Sequence, residues 1–269
     1  MLKMIPLTIL VALVASGCFT TVKPQQLVKP EEIAKMESFS YGDWQHVLKA
    51  YVDQAGRVDY EGLRTNRVRL DRYISLIGVV GPKTKPGWFE SKPQRLAYYI
   101  NAYNALTLFN VINRLPELQS VNDDLKSFFY FTTFELDGEN ISLYALENDL
   151  IRPRFREPRI HFALNCASIG CPQLPAEAFL PESLDAQLKR ETQKFLNERR
   201  NVAFENDKIV LSQIFNWYEE DFPPSALAWI RTQTPDLVLP KAAAVIHRPY
   251  DWDLNRQSPA SSNSAPSAK

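Results

Sequence analysis

The sequence predicts a single domain of the α+β (or α/β) class, with a small, largely antiparallel sheet flanked by helices. Three observations carry this. Apolar residues recur at helical spacing in several segments. Aromatic and β-branched runs flank Asp137-Gly138 and Asn206-Asp207, pairs suited to tight hairpin turns. The chain of 269 residues is 45% hydrophobic, enough to bury one sizeable core, and it contains no internal repeat.

In chain order, Trp44, Val47, Leu48 and Tyr51 define one amphipathic helix, and Leu70, Tyr73, Ile74 and Ile77 a second. They flank the short segment Val58-Asp59-Tyr60. Pro82, Pro86 and Pro93 then punctuate a loop. From Gln94 to Asn113 the chain is apolar on nearly every side, which predicts a helix buried all round; Asn101 and Asn104, three residues apart, project from one face of it. The segment Phe128 to Phe134 reads as a strand that turns at Asp137-Gly138 into Ile141. Ser142 is placed to cap a helix running from Leu143 to about Ile151 and carrying Glu147. The short apolar run Ile160 to Leu164, preceded by Pro158, reads as a buried strand leading into a turn at Asn165-Cys166-Ala167-Ser168.

A helix is expected from about Glu182 to Glu198. Val202 to Phe204 and Ile209 to Leu211 form a hairpin, and Ser212 caps a helix holding Ile214, Phe215 and Tyr218. The last ordered piece is Ala244 to about Asn255. Residues 256–269, rich in Ser, Ala, Pro and Asn, read as a disordered tail.

The N-terminus has a different logic. Lys3, an apolar run from Ile5 to Val14, and the small residues Ala15, Ser16 and Gly17 have the layout of a signal peptide over residues 1–17. The run is too short for a permanent membrane span. Val-Ala-Ser-Gly-Cys at 14–18 resembles the lipobox of bacterial lipoproteins, which implies cleavage before Cys18 and lipid on that cysteine. Phe19 stands where enteric lipoproteins retained at the inner membrane carry Asp. The resemblance therefore implies an outer-membrane anchor facing the periplasm. Residues 18–38 are polar, with Pro24 and Pro30, and read as a lipidated tether ahead of a domain spanning 39–255.

Charge excludes one class of partner. The chain has 31 basic and 31 acidic residues, and no basic stretch suggests nucleic acid. The expected partners are the membrane, through the lipid on Cys18, and an unknown peptide or envelope ligand.

Chemistry concentrates in Arg159 to Cys166, which places His161 near Cys166 in a chain with only three histidines and three cysteines. A thiol becomes a nucleophile when a base or a helix N-terminus favours the thiolate. Cys166 is accordingly the candidate nucleophile and His161 the candidate base. On an unbroken strand, residues five apart face opposite sides, so a bulge or turn must intervene or His247 must serve instead. Glu147 is the candidate that orients the imidazole; its alternative partners are Arg152 and Arg154. Asn101 and Asn104 are candidates for an oxyanion-stabilising amide, or else satisfy buried backbone groups.

The rival reading for Cys166 is a structural disulfide with Cys171, favoured by an oxidising compartment. Metal binding ranks lower, since neither Cys-x-x-Cys nor His-x-x-x-His occurs, and no cofactor is expected.

Taken together, Val-Asp-Tyr at 58–60, Leu-Ala-Tyr-Tyr-Ile-Asn-Ala-Tyr-Asn at 96–104 and Leu-Glu-Asn-Asp-Leu-Ile-Arg at 146–152 resemble the domain of unknown function 547 family. So do His-Phe-Ala-Leu-Asn-Cys-Ala-Ser at 161–168 and Tyr-Asp-Trp-Asp-Leu-Asn at 250–255. The resemblance implies that plant members carry Ser at the position of Cys171, and so a role for Cys166 that a disulfide does not explain. It points by fold-level analogy to a papain-like or transglutaminase-like Cys-His site for acyl transfer or amide and peptide hydrolysis. The alternative is a non-enzymatic envelope lipoprotein that binds a partner or ligand in the same cleft, with Cys166 and Cys171 disulfide-bonded.

Overall fold

The longest helix, α5 (Lys92–Ile112), organises the chain. Ser91 and Gln94 form a reciprocal capping box at its start, Ser91 Oγ accepting from the Gln94 N–H and Gln94 Oε1 from the Ser91 N–H. Pro93 sits in the first turn, where its missing N–H costs nothing. Every residue from Leu96 to Ile112 is buried, so this helix is the core's axis. The structure is a computed structural model that describes residues 19–235, 240 and 243–258. The expected signal peptide, Cys18 and residues 259–269 lie outside the described residues.

Ahead of α5 come α2 (Gly42–Tyr51), α3 (Tyr60–Thr65) and α4 (Val68–Val79). Asp59 caps α3 by accepting from the Gly62 N–H at 2.9 Å. The buried carboxylate of Asp71 on α4 is gripped in two-pronged fashion by Arg67. Helix α4 packs on both α2 and α5, and Trp44 stacks on Tyr73 across that seam.

The segment expected to be a tether is part of the body. Thr20–Thr21 forms strand β1, and Pro30–Ala34 forms a short helix, α1. Val22, Val28, Ile33 and Met36 pack against the main core. These apolar residues are too few and too irregularly spaced to show a period, yet each removes apolar surface from water.

The sheet prediction holds in class and differs in detail. There are two three-stranded sheets. In the first, β1 pairs in parallel with β2 (Thr132–Leu136), which pairs antiparallel with β3 (Glu139–Ser142). In the second, β4 (Val202–Glu205) pairs antiparallel with β5 (Lys208–Leu211), and β5 pairs in parallel with β6 (Ala244–His247). Both hairpins turn where expected. Asp137 and Gly138 have φ of 53° and 81°, and Asn206 and Asp207 have 49° and 59°, the left-handed pair that a two-residue hairpin turn requires.

Two expected strands are corrected. Only Thr132 onward of the segment 128–134 is extended; Ser127–Phe131 forms a π-helical turn. Arg114 holds this turn, donating to Ser127 Oγ at 2.8 Å and Thr132 Oγ1 at 2.6 Å. The run from Ile160 lies in a 3₁₀ helix, Pro158–Phe162. An apolar run this short carries no period of its own, and Pro158 suits a first helical turn as well as a strand edge.

The helix expected at 143–151 is built in three parts: α6 (Leu143–Ala145), a π-helical segment Leu146–Ile151, and α7 (Arg152–Phe155). Ser142 caps its start, accepting from the Ala145 N–H. Farther on come α8 (Leu184–Asn197), α9 (Ile214–Trp217) and α10 (Ala226–Gln233). Phe162, Phe195, Phe215, Phe222 and Ile230 gather here with Ile209 and Leu211 of β5 into a second core. The C-terminal strand of chain does not stop at Asn255: the Gln257 N–H donates to the Val58 carbonyl. Among the described residues, no helix is long and apolar enough to cross a membrane.

Candidate functional site

A cavity of about 520 Å³ opens where the two cores meet, with Leu164 of the first and Ile214 of the second in its wall. That volume lies within the range of small-molecule sites. Its lining is rich in aromatic residues, including Tyr103, Tyr130, Tyr144, Trp217, Tyr218, Tyr250 and Trp252. Tyr130 and Tyr144 stack at 4.4 Å, and Trp217, Tyr250 and Trp252 are in mutual ring contact. The polar groups set into these walls are Glu147, Asn148, Arg152 and His161, and both Cys166 and Cys171 contribute.

His161 and Cys166 thus reach one cavity. The objection from strand alternation disappears because His161 lies in the 3₁₀ helix Pro158–Phe162 and the chain leaves regular structure before Cys166. That stretch is held by buried amides. Asn104 on α5 donates to the Ala163 carbonyl at 2.9 Å and accepts from the Asn165 N–H at 2.8 Å. Asn165 accepts from the Ala167 N–H at 2.8 Å and donates to the Pro172 carbonyl at 2.7 Å. Ala167 takes a left-handed φ of 68°, unusual for a residue with a Cβ. Its carbonyl accepts from the Asn255 N–H, and the Asn255 side chain accepts from the Tyr60 hydroxyl at 2.6 Å. The motifs at 58–60, 161–168 and 250–255 therefore converge on one turn.

Cys166 and Cys171 are disulfide-bonded, with their Cα atoms 6.2 Å apart. The Tyr250 hydroxyl lies 3.2 Å from each sulfur, and Ser168 Oγ lies 3.0 Å from that of Cys166. Burial holds the Tyr250 phenol well above its ordinary pKa, so it stays a donor.

The structure corrects three candidate roles. Asn101 is fully buried, donates to the carbonyls of Ala97 and Phe179, and accepts from Trp44 Nε1 and the Phe179 N–H. Asn104 is spent on the stretch described above. Neither lines the cavity, because each amide is turned to backbone or indole groups, and neither supplies an oxyanion donor. Glu147 does not orient His161. That place belongs to Asp221, whose Oδ2 lies 2.7 Å from His161 Nε2 and also accepts from Arg152 Nε at 2.7 Å. Burial acts to raise the Asp221 pKa, but the hydrogen bonds from His161 and Arg152 outweigh it and hold the carboxyl down at about 2.

Sequence reasoning missed Asp221 because it lies 60 residues from His161. The only local signal was an acidic triplet, Glu219 to Asp221, set between aromatic residues. With Nε2 facing a carboxylate, the neutral imidazole keeps its lone pair on Nδ1. The ring also stacks on Tyr218 at 4.1 Å.

Glu147 has a different setting. It is 8% exposed and lies in the π-helical segment Leu146–Ile151. Burial first, then the charge of Glu147, raises the phenols of Tyr103 and Tyr218. Arg152, an alternative partner from sequence, turns instead to Asp221, Glu220 and Asn148. His247 is on exposed β6 and does not line the cavity; burial lowers its pKa, with Glu219 opposing. Among the described residues, no group of three or more His, Cys, Asp or Glu is placed to hold a metal ion.

Residues 89–196 match the family model described as protein of unknown function, DUF547. That span contains α5, the π-helical segment with Glu147, and the His161 to Cys171 turn. The match supports the domain family expected from the motifs; its model ends before Asp221 and the aromatic residues at 250–252. No curated protein and no solved structure matches the chain.

Proposed function

We propose that this chain is an exported protein, anchored at the outer membrane by lipid on Cys18, whose aromatic cavity binds a small ligand or a peptide side chain from the envelope. One observation carries the binding reading: the cavity is walled by aromatic rings, and the sulfur of Cys166 that faces it is bonded to Cys171. A bonded sulfur is no nucleophile, whereas rigid rings at a concave site supply contact area at little entropic cost.

Ligand-observed NMR with a set of small ions and neutral ring compounds tests this on the mature protein kept oxidised. Binding is expected, and Trp217→Leu together with Trp252→Leu should weaken it at least about tenfold, as loss of buried aromatic contacts does. Binding that survives both substitutions would place the ligand elsewhere.

A second reading rests on a separate observation, that Cys166 shares the cavity with His161, whose Nε2 faces Asp221. A dithiol reductant would open the disulfide, giving two electrons and two protons to Cys166 and Cys171. His161 Nδ1 would then take the Cys166 proton. The thiolate would attack a carbonyl carbon, forming an S–C bond as the amine or alcohol leaves with that proton, and water would hydrolyse the thioester. Under this reading an electrophilic acyl probe labels the reduced protein, and labelling is lost in Cys166→Ser and in His161→Gln but kept in Cys171→Ser. Equal labelling of Cys166→Ser and the parent protein would exclude it.

A further inference from the structure

Two basic side chains line the cavity, and both are committed elsewhere. Arg152 donates Nε to Asp221, Nη2 to Glu220 and Nη1 to Asn148, each at 2.7 Å. His161 faces the same Asp221 oxygen, also at 2.7 Å. Glu147 is the remaining charged group in the lining. It is more than nine-tenths buried, its charge acts on the neighbouring phenols of Tyr103 and Tyr218, and no ion pair involving it is found among the described residues.

A buried carboxylate without a counter-ion is costly. The phenols beside it stay uncharged and supply no counter-ion. The local sum is negative as well, because Arg152 is outnumbered by Glu147, Glu220 and Asp221. Around this charge the walls are rich in aromatic rings, and a ring face attracts a cation more strongly when water is excluded.

We infer that the cavity takes an organic cation, an alkylammonium group seated against Glu147 and enclosed by Tyr130, Tyr144, Trp217 and Trp252. This rests on the binding reading and adds the chemical class of the ligand. The ammonium belongs either to a free small molecule or to the lysine-like side chain of a peptide. A quaternary head would be held by the rings and the carboxylate charge; a primary one would also donate hydrogen bonds to Glu147.

The test uses cation and neutral pairs of matched shape, titrated into the oxidised mature protein and read by NMR and tryptophan fluorescence. Choline is compared with 3,3-dimethyl-1-butanol, and Nα-acetyl-lysine methylamide with Nα-acetyl-norleucine methylamide. At least one cation should bind about tenfold or more tightly than its neutral partner. Which pair shows the preference identifies the source. In Glu147→Gln, an isosteric change whose folding is checked by circular dichroism, the preference should fall below about threefold while the neutral compound binds as before.

Equal affinity for cation and neutral partner in the parent protein would overturn the assignment and leave the cavity a binding site for neutral ligands. A preference that persists in Glu147→Gln would overturn it too. If no member of either pair binds while the wider compound set does, the cation assignment fails alone; if nothing binds the cavity, both readings fail.

Discussion

Asn104→Ala separates a scaffold role from a catalytic one. The amide makes two hydrogen bonds, to the Ala163 carbonyl at 2.9 Å and from the Asn165 N–H at 2.8 Å, and is 1% exposed. No other hydrogen bond to either backbone group is found among the described residues. Truncation therefore strands one donor and one acceptor away from water. Each such group costs about 1–3 kcal/mol, so the loss should be about 2–6 kcal/mol, with a small cavity adding to it. Against a total stability of about 5–15 kcal/mol this is large. With a urea slope near ~3 kcal/mol/M, the midpoint should fall by about 0.7–2 M. Asn104→Asp keeps the acceptor for Asn165 but sets a carboxylate against the Ala163 carbonyl, so it should not rescue. Equilibrium urea unfolding followed by tryptophan fluorescence is the assay. A midpoint within about 0.2 M of the parent protein would refute the reasoning, because the stretch before Cys166 would then be held by something other than this amide.

Three further outcomes follow from the same geometry. Asp221→Asn should flatten the acid limb of stability: a carboxyl held at about 2 in the fold, against an ordinary 3.8, contributes stability that is fully present above pH 3.8 and lost as pH falls through about 2. Thermal melts across pH 2–7 check this, and an unchanged acid limb in the variant would remove Asp221 from the His161–Arg152 cluster. Gly170→Ala places a Cβ 2.8 Å from the Tyr250 ring and 2.9 Å from the Asp251 carbonyl; it should cost about 1–3 kcal/mol and weaken binding through displaced Tyr250, both read by the same titrations. Arg114→Met removes the donors to Ser127, Thr132, Asn110 and Asp124 and the guanidinium over the Phe128 ring. A loss of about 2 kcal/mol or more in urea is expected, since hydrogen bonds to a charged group contribute about 1.5–3 kcal/mol each before rearrangement.

What the sequence revealed was what local physics decides. The helix at 92–112 announced itself because a run of twenty apolar-rich residues without Gly or Pro can bury its backbone only as a helix, and both hairpins because Asp-Gly and Asn-Asp tolerate positive φ. The site was half legible. His161 and Cys166 stood out as rare residues close together, and they do share a cavity. Their setting was hidden for a different reason at each position. Asp221 meets His161 only through tertiary packing. The strand expected at 160–164 begins instead in a 3₁₀ helix, since so short an apolar run fits either form until neighbours choose. Asn101 and Asn104 drew notice as polar residues on an apolar helix, but which way an amide points depends on what packs behind it. The aromatic walls come from five separate stretches of chain, so no window of sequence contains them.

The pairing of Thr20 and Thr21 with β2 bears on how this body would sit on a bilayer. Thr20 stands two positions after the cysteine proposed to carry lipid, a reach of at most about 7 Å. A chain so anchored would be moored at its flank, with little freedom to swing. Phe19 meets Phe131 edge to face, and Phe131 is the immediate neighbour of Tyr130 on the cavity rim. Lipid at Cys18 would therefore bring the cavity's entrance down beside the headgroups, so that a ligand would arrive by diffusion along the membrane surface as readily as from the open periplasm.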